Sequence, residues 1–147
     1  MEPVVLGNIP FTLHPDEIAS QLHIKSGSED YDDLSALVLQ ACAVARPKAI
    51  YTTAYITGRG DGFVEIEGVR MDSRVMCENL KQVHRVFPYV ATCGTEVDEW
   101  SNGVTDILQN WWMDVAKAHL LGKAIQHLNG LLKTGLKLGS YSNMNPG

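Results

Sequence analysis

Cys93 has the strongest nucleophilic credentials in this 147-residue chain. It stands in Cys93-Gly94-Thr95, where a strand pattern gives way to a helix start. A thiolate there would gain from the positive end of the helix dipole, which lowers a thiol pKa. Nucleophile activation also needs a positioned base, and His84, His119 and His127 are distant in sequence. Packing is therefore the preferred role for the thiol. Free backbone N–H groups in the same turn could hold an anion weakly. The other thiols, Cys42 and Cys77, make an odd total with no Cys-x-x-Cys pair, which points away from zinc and from a redox pair. His119 and His127 lie more than two helical turns apart, too far to share one metal ion without further ligands. Gly58-Arg59-Gly60-Asp61-Gly62 contains a Gly-x-Gly-x-Gly run, but a strand pattern follows it where a dinucleotide loop would open a helix. It reads as a hairpin turn. Trp111-Trp112 reads as one core residue and one at a helix edge, or as a partner surface, since Trp is enriched at binding hot spots.

These residues sit in an ordinary globular composition, 45% hydrophobic and 20% charged. No apolar run approaches the roughly 18 residues of a membrane span, and the N-terminus carries no signal-peptide pattern. A cytoplasmic address is the expectation. A net charge of −5 argues against wholesale nucleic-acid binding. The charge is uneven. Residues 1–33 hold seven acids and only Lys25 as a base, whereas residues 115–147 hold Lys117, Lys123, Lys133 and Lys137 and no acid. Solvated faces are the preferred reading, with a basic patch for an anionic partner as the alternative.

The elements that must position these groups read as an α+β fold, a mixed or antiparallel sheet packed by helices, in a single domain over 1–147. A short strand falls at 3–6. Pro15 suits the first turn of a helix running over Asp16–Leu22. Glu29, Asp30, Asp32 and Asp33 precede a helix with apolar Leu34, Leu37, Val38, Ala41 and Val44, ended by Pro47. Ala49–Ile56 reads as one strand and Phe63–Ile66 as a second. Glu67-Gly68 forms a tight turn before Val69–Met71. Asp72 or Ser73 caps a helix over Arg74–Gln82. Arg85–Thr92 reads as a central strand, with Pro88 arguing for an edge or a bulge. Thr95 and Asp98 fit a capping-box-like start of a helix over Glu96–Trp100. From Thr105 to Lys133 one long helix, roughly 40 Å, carries Leu108, Trp111, Val115, Ala118, Gly122, Ile125 and Leu132 near one stripe, widened by Leu121, Ala124, Leu128 and Leu131. That stripe is expected to face the core, and Gly122 to mark a close packing contact.

Several stretches together resemble a known family. They are Ala45-Arg46-Pro47-Lys48-Ala49-Ile50-Tyr51, then Val90-Ala91-Thr92-Cys93-Gly94-Thr95-Glu96-Val97-Asp98, the long Ala-rich helix, and Ser142-Asn143-Met144-Asn145-Pro146-Gly147. The order is similar to that of the activation (reactivation) domain of vitamin B12-dependent methionine synthase and its small stand-alone relatives in anaerobes. The resemblance implies a domain that binds S-adenosylmethionine and restores methylcobalamin after the corrinoid cobalt has been oxidised, with an external electron. It implies a platform without catalytic acid–base residues. Cobalamin would come only through a partner, a corrinoid protein or a B12-dependent methyltransferase. The ligand residues it implies are Gly94, Thr95, Glu96, Asn143, Asn145, Pro146 and Gly147. Asn143 stands where the family carries an Arg, and the family domain continues beyond Gly147, so weak ligand binding is expected.

Two other readings stand beside this one. One is a small enzyme using Cys93, which predicts a histidine within hydrogen-bond reach of the thiol. The other is a fragment that needs a further C-terminal segment or a homo-oligomer. No nucleic acid, membrane or metal is expected in any of them.

Overall fold

The computed structural model describes residues 2–138 and 141–144. It is an α+β protein with antiparallel sheets and one long C-terminal helix. The chain falls into two compact units. One holds residues up to Val5, Ile50–Val90 and the stretch from Lys137 on; the other holds Leu6–Ala49 and Ala91–Leu136.

The first unit is built on a sheet in the order β5-β4-β3-β6, made of β3 (Ala54–Gly60), β4 (Phe63–Ile66), β5 (Val69–Asp72) and β6 (Arg85–Val86). The β3–β4 hairpin registers Gly60 against Phe63. A Cβ on Gly60 would fall 2.0 Å from the Phe63 ring, so any side chain there would have to displace the ring. The Arg70 guanidinium covers the same ring at 3.8 Å, a cation–π contact. Glu67 and Gly68, both at positive φ, make the β4–β5 turn. Helix α3 (Arg74–Asn79) starts at Ser73, whose hydroxyl accepts the Met76 N–H. Arg59 ties down the chain after it by donating to the carbonyls of Leu80 and Val83. Ala54, Val64, Ile66, Met76 and Leu80 form this unit's core, with Met144 packed against it.

The second unit is helical. Helix α1 (Pro15–Leu22) opens with Pro15 in its first turn, and the Glu17 carboxylate accepts the His14 N–H. Helix α2 (Glu29–Val44) is capped by Ser28 and carries acids in its first turn, as dipole complementarity favours. Helix α4 spans Thr95–Ser101, and α5 spans Ile107–Gly135 behind the N-cap Asp106. Helix α5 packs against α1, α2 and α4. Leu34, Val38, Ala41, Val97, Trp112, Met113, Ala116 and Leu120 make the core. Strands β1 (Val4–Leu6), β2 (Lys48–Tyr51) and β7 (Tyr89–Thr92), in which the chain passes between the units, pair in the order β1-β2-β7.

Several sequence expectations need correction. Ala49–Ile56 is two strands, β2 and β3, in different sheets. Thr52 and Thr53 lie between them, and Thr52 gives its N–H to the Pro88 carbonyl at 3.1 Å, opposite it in the register of the Ala54–Val86 pair. Arg85–Thr92 is likewise divided by Pro88 into β6 and β7, and each half lies at a sheet edge, not in the centre. Proline has no N–H to give to a continuous ladder. The strand before the hairpin runs through Gly58 and Gly60, so the turn itself is only Asp61-Gly62. The helix after Ser73 stops at Asn79. In α4 the N-cap is Gly94, and Thr95 is already helical. Helix α5 packs on α1, α2 and α4, and its buried seam is Trp112, Met113, Ala116, Leu120, Ala124, Leu128 and Leu132. Of the predicted stripe, Ala124, Leu128 and Leu132 are buried and Val115 packs against the core, whereas Leu108 and Trp111 are 48% and 53% exposed and a Cβ on Gly122 would meet nothing within 4 Å.

Candidate functional site

The turn that carries the resemblance is Thr92–Glu96. Strand β7 ends at Thr92, Gly94 turns the chain, and α4 begins at Thr95. Gly94 holds φ +94° and ψ 149°, a region essentially reserved for glycine. Its N–H donates to the Thr92 hydroxyl at 3.1 Å. A Cβ there would lie 2.6 Å from the Arg46 carbonyl oxygen and 2.7 Å from Glu96 Oε2. The glycine is thus required twice, by its backbone angles and by the close approach of the Arg46 carbonyl.

Glu96 is already engaged. Lys48 Nζ donates to its Oε1 and Oε2 at 2.7 and 3.0 Å, and to the Arg46 carbonyl at 3.0 Å. The Lys48 hydrogen bond and the backbone N–H of Glu96 itself hold this carboxyl below the usual carboxylate range. The carboxylate therefore fills the place at the start of α4 that an anionic ligand would take, and Lys48 meets the charge that a ligand cation would need. Lys48 and the Arg46 carbonyl are the members of this cluster that sequence reasoning missed. Lys48 lies 48 residues from Glu96 in the chain, with Arg46 two residues further off, and no local pattern signals the pairing.

Cys93 is half-buried, and its thiol makes one long hydrogen-bond contact, 3.8 Å to the Gly94 carbonyl. Burial pushes the thiol up, against a smaller downward pull from its backbone hydrogen bond and from Lys117. Desolvation outweighs these pulls, and the activation that the turn's position suggested is not realised. No histidine hydrogen-bonds this thiol among the described residues. Lys117 is committed elsewhere: Nζ meets Asp98 at 3.0 Å, the Ser101 hydroxyl at 3.1 Å and Asp114 at 3.5 Å. Burial works against its charge, but the two carboxylates outweigh burial and raise its pKa.

Among the expected ligand residues, Gly94, Thr95 and Glu96 lie together in the helical unit. Asn143 is exposed and belongs to the sheet unit, next to Met144, which packs on that unit's core. Asn145, Pro146 and Gly147 lie outside the described residues. Among the described residues no three His, Cys, Asp or Glu side chains are grouped to hold a metal ion, and no helix is long and apolar enough to cross a membrane. No protein-family model matches the chain, and no curated protein matches it.

Proposed function

We propose that this chain is a reactivation-type accessory module for a corrinoid protein or B12-dependent methyltransferase, working in the cytoplasm as a platform and not as a catalyst. The observation that supports the reading is the Thr92–Glu96 turn. The residues that most resemble the methionine synthase activation domain form a strand–glycine–helix junction whose central glycine admits no side chain. The thiol beside it is half-buried, and no histidine among the described residues hydrogen-bonds it, which favours a platform over a cysteine enzyme.

S-adenosylmethionine is the proposed ligand, held weakly. Lys48 engages the carboxylate of Glu96, and Asn143 lacks the bidentate guanidinium that would meet the ligand carboxylate. Loss of such a charge-assisted contact, about 1.5–3 kcal/mol per hydrogen bond, weakens binding roughly tenfold to a hundredfold.

The test is a reactivation assay. A corrinoid protein held as Co(II), a one-electron reductant and S-adenosylmethionine are mixed with and without the chain. The reading expects methylcobalamin absorbance to appear faster with the chain present. Equal rates with and without it would sink the proposal. Calorimetric titration with S-adenosylmethionine checks the ligand separately, and sub-micromolar affinity would show that the significance given to Asn143 is wrong.

A further inference from the structure

An asparagine side-chain amide can be displaced by the backbone nitrogen of the next residue, and the identity of that residue decides how readily. Asn8, Asn79, Asn110 and Asn143 precede Ile9, Leu80, Trp111 and Met144, whose side chains crowd the nitrogen, and Asn145 precedes Pro146, which has no N–H. Asn102 and Asn129 precede Gly103 and Gly130, which have no Cβ to obstruct the approach. These Asn-Gly pairs sit in opposite settings. Asn129 and Gly130 lie inside the 29-residue helix α5, in a stretch pinned by the buried Leu128 and Leu132. Asn102 is the C-cap of α4, at φ −63° and ψ −21°, and both it and Gly103 are exposed. The Gly103 N–H donates to the Trp100 carbonyl at 3.1 Å, and the Val104 N–H to the Ser101 carbonyl at 3.0 Å. These bonds close the end of a short helix, where fraying is easiest.

We propose that Asn102 is a self-modification site, converting to aspartate and isoaspartate, and that Asn110 governs its rate. The Gly103 nitrogen gives its proton to solvent and bonds to Asn102 Cγ. The Cγ–Nδ2 bond breaks, and Nδ2 takes a proton from solvent and leaves as ammonia. Water then opens the cyclic imide at either carbonyl. In sum a water is consumed and an ammonia released, with no oxidant or reductant. Closure requires ψ of Asn102 to turn away from its helical value, which frees the Gly103 N–H from Trp100. Asn110 opposes that turn. Its Nδ2 donates to the carbonyls of Val104 at 3.2 Å and Ser101 at 3.5 Å, and so bridges the residues on either side of the pair. The product sets a carboxylate at the negative end of the α4 dipole, an unfavourable place, and its iso form adds a methylene to the backbone. The last turn of α4 carries the buried Ser101, whose hydroxyl accepts from Lys117 of α5 at 3.1 Å. Conversion therefore loosens the tie between α4 and α5. The site is independent of the reactivation reading.

Incubation of the full chain at mildly alkaline pH, with peptide mapping by mass spectrometry, follows each asparagine separately. Asp61-Gly62 can close only with loss of a water that reopening restores, so a lasting gain of mass reports asparagine alone. In the folded chain Asn102 converts several-fold faster than Asn129, and in the urea-unfolded chain the two convert at similar rates. Asn110→Ala speeds the folded-state conversion of Asn102 several-fold and leaves the unfolded-state rate unchanged. Gly103→Ala slows conversion in both states. A Cβ at Gly103 would meet only the Trp100 carbonyl oxygen, at 3.4 Å, so the fold accommodates this variant. Urea unfolding of each variant checks that it folds. Asn129 converting as fast as Asn102 in the folded chain overturns the site. So does an intact folded-state Asn102 at a time when the unfolded chain has fully converted. A folded-state rate indifferent to Asn110→Ala overturns the role of Asn110.

Discussion

Gly94 and Arg46 meet so closely that a single methyl group cannot be placed between them: a Cβ on Gly94 would stand 2.6 Å from the Arg46 carbonyl oxygen. Gly94→Ala must therefore move the Arg46 backbone and also hold φ near +94°. The expected cost is about 1–3 kcal/mol of stability from the backbone conformation alone, read from urea or guanidinium unfolding. A substitution that left the midpoint unchanged would show that the turn relaxes without strain.

Lys48→Met removes the partner of Glu96 while keeping the aliphatic stem. The carboxylate at the start of α4 is then free to meet a cation. If the platform reading is right, S-adenosylmethionine binding by calorimetry changes measurably with this substitution, whereas Lys81→Met, which breaks only a surface pair with Glu78, leaves it unaltered.

The Glu17–Lys123 pair, 2.7 Å long, ties α1 to α5. The Lys123 hydrogen bond and the His14 N–H hold the Glu17 carboxyl below its ordinary 4.5. A depressed carboxyl stabilises the fold above the unfolded-state value and loses that contribution as pH falls through the lower folded-state value. Stability at neutral pH thus exceeds stability in the acid range by a term that Glu17→Gln abolishes. Thermal midpoints of both forms, measured from neutral pH downward, should converge below the ordinary carboxylate range. Parallel curves would refute the assignment.

Burial raises the Cys93 thiol above its ordinary 9.0. Alkylation by iodoacetamide at pH 8 should be slower at Cys93 in the folded chain than in the urea-unfolded chain, because the thiolate fraction is smaller and access is reduced. Cys93→Ser should leave ligand binding largely intact. A loss of several hundredfold in any turnover, with the fold preserved, would restore the nucleophile reading.

The two sides of α5 separate cleanly by truncation. Leu120 is fully buried, and Leu120→Ala should cost about 2–5 kcal/mol. Leu108 is 48% exposed, and Leu108→Ala should change the stability of the chain by no more than about 0.5 kcal/mol, as is usual for surface positions. Equal costs would mean that the outward face is covered after all.

Legible in the sequence were the α+β class, the Pro15-led helix start, the Glu67-Gly68 turn and the long helix from about Thr105, whereas the Ser28 and Asp106 caps emerged from the structure. Each legible element rests on information within a few residues: a ring-locked φ, a positive-φ pair, or a 3.6-residue period. Pro88 also warned locally of an interrupted strand. What depends on distant partners was settled by packing. The period of α5 is satisfied by two apolar stripes, and the packing of α1, α2 and α4 selects the Trp112–Leu132 seam over the Trp111–Gly122 one. The division of Ala49–Ile56 falls opposite Pro88, which accepts the Thr52 N–H but has none to return, and no local pattern in Ala49–Ile56 shows that it faces a proline. The state of Glu96 and Cys93 was decided in the same way. A carboxylate beside a helix start and a thiol beside a glycine look available in a linear reading, but Lys48 from 48 residues away occupies the first and burial silences the second.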